Sequence, residues 1–328
     1  MKKALYSVLC IALSAMLFIT SLGVTEVAGK ERYQLLGSTI GGSTYASSVA
    51  IADLLYKYQP EVSWTVHASN YNADALMLNK RKVKGFAASA TVSFWNVMKK
   101  APNDQNSPAR IVWFVAPIQW WAFCDIDRPW KTIGDVPEDV VWCMGGPKGS
   151  NTGMIAEYIL EALGKNVPAK KKEWMFKSAN AAAWRDGLLD VVIVCTTPPS
   201  GYLAELLTGR RKIKWLSWTD AQAKAFLDKH GTKGFFRWTI PAGTQPGIDY
   251  DTPCVSYNSW YLADKEFPED VVYNFCKVLV DNYDEMVAKY SGLVECKPEN
   301  TVKYKDLVPG WSLHPGTVKF LKDRGYWK

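Results

Sequence analysis

Histidine is scarce in this chain: His67, His230 and His314 are the only three in 328 residues. None stands in an HExxH pattern or beside a serine or cysteine in a nucleophile motif, and GxSxG does not occur. Metalloprotease and serine-hydrolase chemistry therefore lack their usual side chains. CxxC and other metal-type spacings are missing too, which excludes a zinc site read from sequence. No second long apolar run exists beyond residue 22, and about 20 such residues are needed to cross a bilayer. Repeats and low-complexity segments are absent. No isolated arginine stands out as a carboxylate clamp.

The one long apolar run is N-terminal. Lys2 and Lys3 precede an apolar stretch over residues 4–22, and Val27-Ala28-Gly29 offers small residues for cleavage. This is the pattern of an export signal over residues 1–29. Cys10 lies inside the apolar stretch behind Leu9, which is unlike a lipoprotein cysteine. Export places the remainder in an extracytoplasmic space, most simply a periplasm, as about 300 residues, enough for two domains. Apolar residues make up 48% and charged residues 22%, which are globular values. The fifteen tryptophans belong mostly in cores. A net charge of +7 leans toward an anionic partner without deciding it.

Six cysteines follow the leader: Cys124, Cys143, Cys195, Cys254, Cys276 and Cys296. An oxidising compartment permits disulfides. Cys124 with Cys143 and Cys276 with Cys296 are the nearest pairs. Either pair is able to bridge, and buried free thiols are the alternative.

Short apolar runs alternate with amphipathic stretches, the pattern of an α/β fold. Tyr33-Gln34-Leu35-Leu36 reads as a strand, as do residues 61–67, 85–89, 140–144 and 191–195. Helical spacing follows most of them. Asn70 or Asn72 is placed to cap one helix and Thr91 another. Crossings between two lobes are expected over residues 114–127 and 253–262. The expected division is 30–119 with 262–328 for the first lobe and 120–261 for the second.

Two glycine-rich loops stand at strand-to-helix junctions. The first is Gly37-Ser38-Thr39-Ile40-Gly41-Gly42-Ser43-Thr44-Tyr45, and the second is Gly145-Gly146-Pro147-Lys148-Gly149-Ser150-Asn151-Thr152-Gly153. The first has P-loop glycine spacing but no lysine before Ser43, and neither gives GxGxxG, so nucleotide binding is not indicated. A helix N-terminus offers unpaired N–H groups and about half a positive charge, so it attracts anions. In open α/β sheets ligands sit beyond the carboxyl ends of strands. One cleft shared by both loops follows from these two rules. The basic clusters Lys80-Arg81-Lys82-Val83-Lys84, Lys170-Lys171-Lys172 and Arg210-Arg211-Lys212 read as solvated surface.

These residues resemble the TAXI-type solute-binding proteins of tripartite ATP-independent periplasmic (TRAP) transporters. The resemblance rests on Gly41-Gly42 with Tyr45, and on Gly146-Pro147-Lys148-Gly149-Ser150-Asn151-Thr152. It rests also on Arg185-Asp186-Gly187-Leu188-Leu189-Asp190, Ile240-Pro241-Ala242-Gly243-Thr244-Gln245-Pro246-Gly247 and Leu313-His314-Pro315-Gly316. It implies a two-lobed, type II-like periplasmic binding protein with a ligand cleft between lobes and no enzymatic activity. It implies capture of a small organic anion, such as glutamate or 2-oxoglutarate, and delivery to TRAP membrane subunits. The ligand contacts implied are Thr39, Gly42, Tyr45, Ser89, Ser150, Asn151 and Thr152, with Pro198 at the rim and no cofactor or metal. Tyr45, together with Trp120 or Trp121, would cover the apolar part of the ligand. Asn151 departs from the family, which usually has glycine there. Two other readings of the same architecture are a binding protein serving a membrane sensor and an exported hydrolase.

Overall fold

The computed structural model describes residues 30–244 and 246–328. The expected leader, residues 1–29, lies outside the described residues. No helix among the described residues is long and apolar enough to cross a membrane.

The first lobe begins with three strand–helix units. They are β1 (Glu31–Leu36) with α1 (Ser43–Tyr58), β2 (Val62–His67) with α2 (Tyr71–Asn79), and β3 (Gly85–Ser89) with α3 (Thr91–Met98). β1 pairs in parallel with both β2 and β3. Each strand ends where an apolar run gives way to small or polar residues, and a helix starts within a few residues. α2 is capped by Asn70, whose side chain accepts from the Ala73 N–H at 2.9 Å. Thr91 is the first helical residue of α3 rather than its cap, a place taken by Ala90.

The chain then runs through β4 (Ala109–Asp125), seventeen residues buried along almost their whole length. The second lobe follows with β5 (Trp142–Cys143), α4 (Asn151–Ala162), β6 (Lys172–Glu173), α5 (Lys177–Arg185), β7 (Val191–Thr196), α6 (Gly201–Leu207), β8 (Ile213–Leu216), α7 (Asp220–His230) and β9 (Phe235–Ile240). β7 is the sequence VVIVCT, buried throughout, as a strand covered on both faces should be. The expected strand at 140–144 is only the two residues of β5.

The return is β10 (Thr252–Asp264), also almost wholly buried. The sheet order is β2-β1-β3-β10-β4-β7-β5-β6, with β8 also on β4 and β9 also on β10. Among the described residues, β4 and β10 are thus the only strands that reach both halves of the sheet. They pair antiparallel, with register shifts at Ser259/Trp260 and Tyr261/Leu262. The helices α8 (Glu269–Asp281), α9 (Tyr283–Lys289), α10 (Pro298–Tyr304) and α11 (Pro315–Asp323) pack back on the first lobe. The chain is α/β and two-lobed, with a cleft between the lobes.

Tryptophans fill the centre of both halves. Trp113, Trp120, Trp142, Trp184 and Trp260 are fully buried. A buried aromatic removes 150–250 Å² from water, which at ~25 cal/mol per Å² is about 4–6 kcal/mol each as an upper bound. Trp120 and Trp121 lie in this core and not in the cleft, and Trp121 Nε1 donates to the Thr196 carbonyl at 3.1 Å. All six described cysteines are buried free thiols, so neither expected disulfide pair is bridged. Leu313-His314-Pro315-Gly316 is a helix start: His314 Nδ1 accepts from the Gly316 N–H at 3.2 Å and caps α11.

Candidate functional site

Four helices begin at one cavity of about 400 Å³ between the lobes. The heads of α1 (Ser43, Thr44) and α2 (Asn70, Tyr71, Asn72) come from the first lobe. The heads of α4 (Asn151, Thr152) and α5 (Phe176, Lys177) come from the second. The end of β7 (Cys195, Thr196) and the long strands (Ile118, Tyr257) close the wall. This is the carboxyl end of the parallel strands, where the positive ends of the following helices point. The volume suits a small organic solute.

The two glycine loops enter differently. α1 is preceded by Gly42, whose extended backbone gives no side-chain cap. The N–H groups of Ser43 and Thr44 have no acceptor among the described residues. Ser38 holds this loop in the left-handed region (φ 69°), and its N–H donates to Ser69 Oγ at 3.1 Å. Ser69 in turn donates to Asp74 at 2.8 Å. Asp74 is fully buried, and burial pushes its carboxyl up to about 7.

α4 is preceded by Ser150, whose hydroxyl is occupied twice: it accepts from the Gly153 N–H (3.1 Å) and donates to the Pro147 carbonyl (2.7 Å). Thr152 Oγ1 lies 3.7 Å from Cys195 Sγ. Gly145 (φ +68°) opens this loop, and a Cβ there would meet the Ile193 carbonyl at 2.3 Å, so β7 can approach only a glycine.

The charge in the cavity wall is of one sign. Lys148 and Lys177 line it and no aspartate or glutamate does among the described residues. Lys148 is exposed at the mouth, whereas Lys177 is half-buried. Burial lowers the Lys177 pKa, because the ammonium loses water. Its Nζ stands 5.8 Å from the Tyr202 ring centroid and 3.9 Å from where a side chain on Gly42 would begin. No histidine lines the cavity, and His67 is exposed. His230 is buried beneath Tyr158, the ring centroids 4.4 Å apart, and burial lowers it to about 4.

The lobes touch on both sides of the cavity. Thr196 Oγ1 and the Thr197 N–H donate to Ser43 Oγ at 3.4 and 3.3 Å, and Tyr290 donates to the Pro199 carbonyl. On the other side Asn96 Nδ2 of α3 donates to Asn151 Oδ1 at 3.0 Å, and Tyr158 of α4 donates to Asn96 Oδ1 at 3.3 Å.

Of the residues singled out from sequence, Thr39, Gly42, Ser150, Asn151 and Thr152 meet in the cavity wall. Three do not. Ser89 is fully buried at the end of β3 and its hydroxyl donates to the Tyr71 carbonyl at 3.0 Å, because the first turn of α2 covers that strand end. Tyr45 turns around α1 into a separate groove with Pro199, Ser200 and Tyr290. Pro198 is outside the lining as well. Sequence reasoning missed Asn70 and Asn72, read only as caps, and Lys177. The strand-to-helix rule that found the glycine loops points to the first two. Lys177 follows a two-residue strand that leaves no apolar run to notice.

The NMT1-like family model matches residues 35–325. Among solved structures, the periplasmic aliphatic sulphonate binding protein SsuA from Escherichia coli is 14% identical, with 91% of this chain and 94% of that one covered at a TM-score of 0.47. The alkanesulfonate-binding protein SsuA from Xanthomonas axonopodis pv. citri, bound to MOPS, is 12% identical, with 92% of each chain covered and a TM-score of 0.45. XAC2383 from Xanthomonas citri, bound to ATP, is 10% identical over 89% of this chain and 98% of that one, with a TM-score of 0.49. The family match spans nearly all of the described residues, and the chain belongs to the NMT1-like family.

Proposed function

We propose that the protein captures a small organic anion between its lobes and passes it to a membrane transporter of the TRAP type. The observation that carries this reading is the cavity wall itself: four helix heads and two lysines with no carboxylate among the described lining residues. Each charge-assisted hydrogen bond to such a ligand contributes ~1.5–3 kcal/mol. Three of them supply the roughly 8 kcal/mol of micromolar binding. In this reading Ser43 and Thr44 N–H, Asn151 and Thr152 N–H and Lys177 hold the charged end. Ile118, Phe176 and Tyr257 flank the apolar part.

The lobes divide at 30–119 with 262–328 and 120–261, and hinge where β4 and β10 pass between them. Export to the periplasm rests on the leader pattern of residues 1–29, and a TRAP partner rests on the sequence resemblance. Glutamate, 2-oxoglutarate and other small carboxylates are the ligands it favours. Calorimetric titration against small carboxylates, sulfonates and neutral sugars tests the reading. At least one anion binds at micromolar concentration; binding of sugars alone would overturn it.

A further inference from the structure

Lys177 sits where a bare cleft is hardest to close. Its ammonium belongs to the second lobe and reaches to within 3.9 Å of the Cβ position of Gly42 in the first. Gly42 precedes α1, sixteen residues long, whose head carries partial positive charge and lacks a side-chain cap. Two positive groups therefore face each other across the cleft. The carboxylate that shares a neighbouring cavity of about 370 Å³ with Lys177, Glu205, is paired to Arg185 at 3.5 Å. Lys148 is exposed and free to turn to water, and Asp74, in the first turn of α2, is buried and accepts from Ser69.

We propose that Lys177 is the charge-selecting residue of the cleft, making lobe closure conditional on one carboxylate or sulfonate group seated between its ammonium and the head of α1. This rests on the reading that the cleft takes an anionic solute. With the cleft empty, closure strips water from the ammonium and returns nothing. The lowered pKa of Lys177 is the same cost seen in protonation. An anion between the two positive groups turns their repulsion into two attractions. Neutral solutes leave the repulsion in place, so they fail to close the protein even where they fit.

The test is small-angle X-ray scattering of wild type, Lys177→Met, Lys177→Gln and Lys177→Arg, each without ligand and with glutamate, 2-oxoglutarate or ethanesulfonate. Calorimetry with the same three probes runs in parallel. Wild type and Lys177→Arg are expected to be expanded when empty and to contract with the anion that binds. Both neutral variants are expected to be compact already when empty and to bind that anion at least tenfold more weakly. The two neutral variants guard against a fold-specific artefact, and thermal melts confirm that they are folded. If the neutral variants are as expanded as empty wild type, or bind as tightly, the role of Lys177 is overturned and the anion reading stands. If wild type binds none of the probes or their homologues, both fall together.

Discussion

The heads of α1 and α4 face the same cavity from opposite lobes, yet one is capped and the other is not. Ser150 closes its helix by accepting from the Gly153 N–H and is further tied to the Pro147 carbonyl. Gly42 offers no side chain to α1, so the first N–H groups of that helix stay open toward the cavity. Glycine at a cap costs only a few tenths of a kcal/mol relative to serine. A small loss of helix stability thus leaves donors for a ligand. The second loop trades the other way: its hydroxyl serves the fold, and Asn151 reaches across to Asn96 to join the lobes. The two loops look equivalent as glycine-rich turns, but α1 keeps its head free of any side-chain cap, while α4 commits its loop hydroxyl to the fold and its Asn151 side chain to closure beside the N–H groups it offers the ligand.

Filling the open head breaks this comparison most severely. Gly42→Asp fits the backbone, at φ −82°, and its Cβ would meet the Thr39 carbonyl at 3.1 Å. A carboxylate there caps α1 and occupies the place of the anion. Calorimetry is expected to show anion affinity reduced by roughly a hundredfold, ~2.8 kcal/mol, with the melting temperature held or raised. Retained affinity would mean that the head of α1 is not a ligand contact.

Asn151→Gly comes next. It leaves Asn96 Nδ2 buried without its partner, at a cost of ~1–3 kcal/mol. Thermal melts should fall by several degrees and stopped-flow release of ligand should quicken. Ser150→Ala removes the cap, about 1 kcal/mol, together with the bond to the Pro147 carbonyl, and is expected to lower the melting temperature more clearly than it lowers affinity. The reverse pattern would make the two loops equal after all.

The smallest effect comes from a cap far from the cleft. Burial lowers the His314 pKa to about 4, from an ordinary 6.5. Its contribution to stability is therefore full above pH 6.5 and is lost as pH falls toward 4. Between pH 7 and pH 6 the loss is below about 1 kcal/mol. His314→Asn keeps an acceptor at the head of α11 and should flatten this part of the melting-temperature profile without touching anion binding.

Much of this was legible in the sequence. The continuous β-branched run of β7, the loop glycines and the Asn70 cap declare themselves because local pattern and tertiary role agree. The α/β alternation gave the architecture. Direction of side chains was not legible. Tyr45 and Ser89 sit at the right junctions but turn away from the cavity, one by a step around α1 and the other beneath the first turn of α2. Ser150 was found as a hydroxyl at a helix head, while its commitment to Gly153 and Pro147 depends on loop geometry. Lys177 was invisible because β6 is two residues long and shows no strand period. The tryptophans expected to cover a ligand are core residues, since the crossing strand that carries Trp120 and Trp121 is buried on both faces.

A crystal structure with the tightest-binding small anion tests the central claim most directly. The account predicts the charged group within hydrogen-bond distance of the Ser43 and Thr44 N–H groups and of Lys177 Nζ. An anion bound elsewhere, or one whose charged end turns to solvent while its apolar part meets the head of α1, would contradict it.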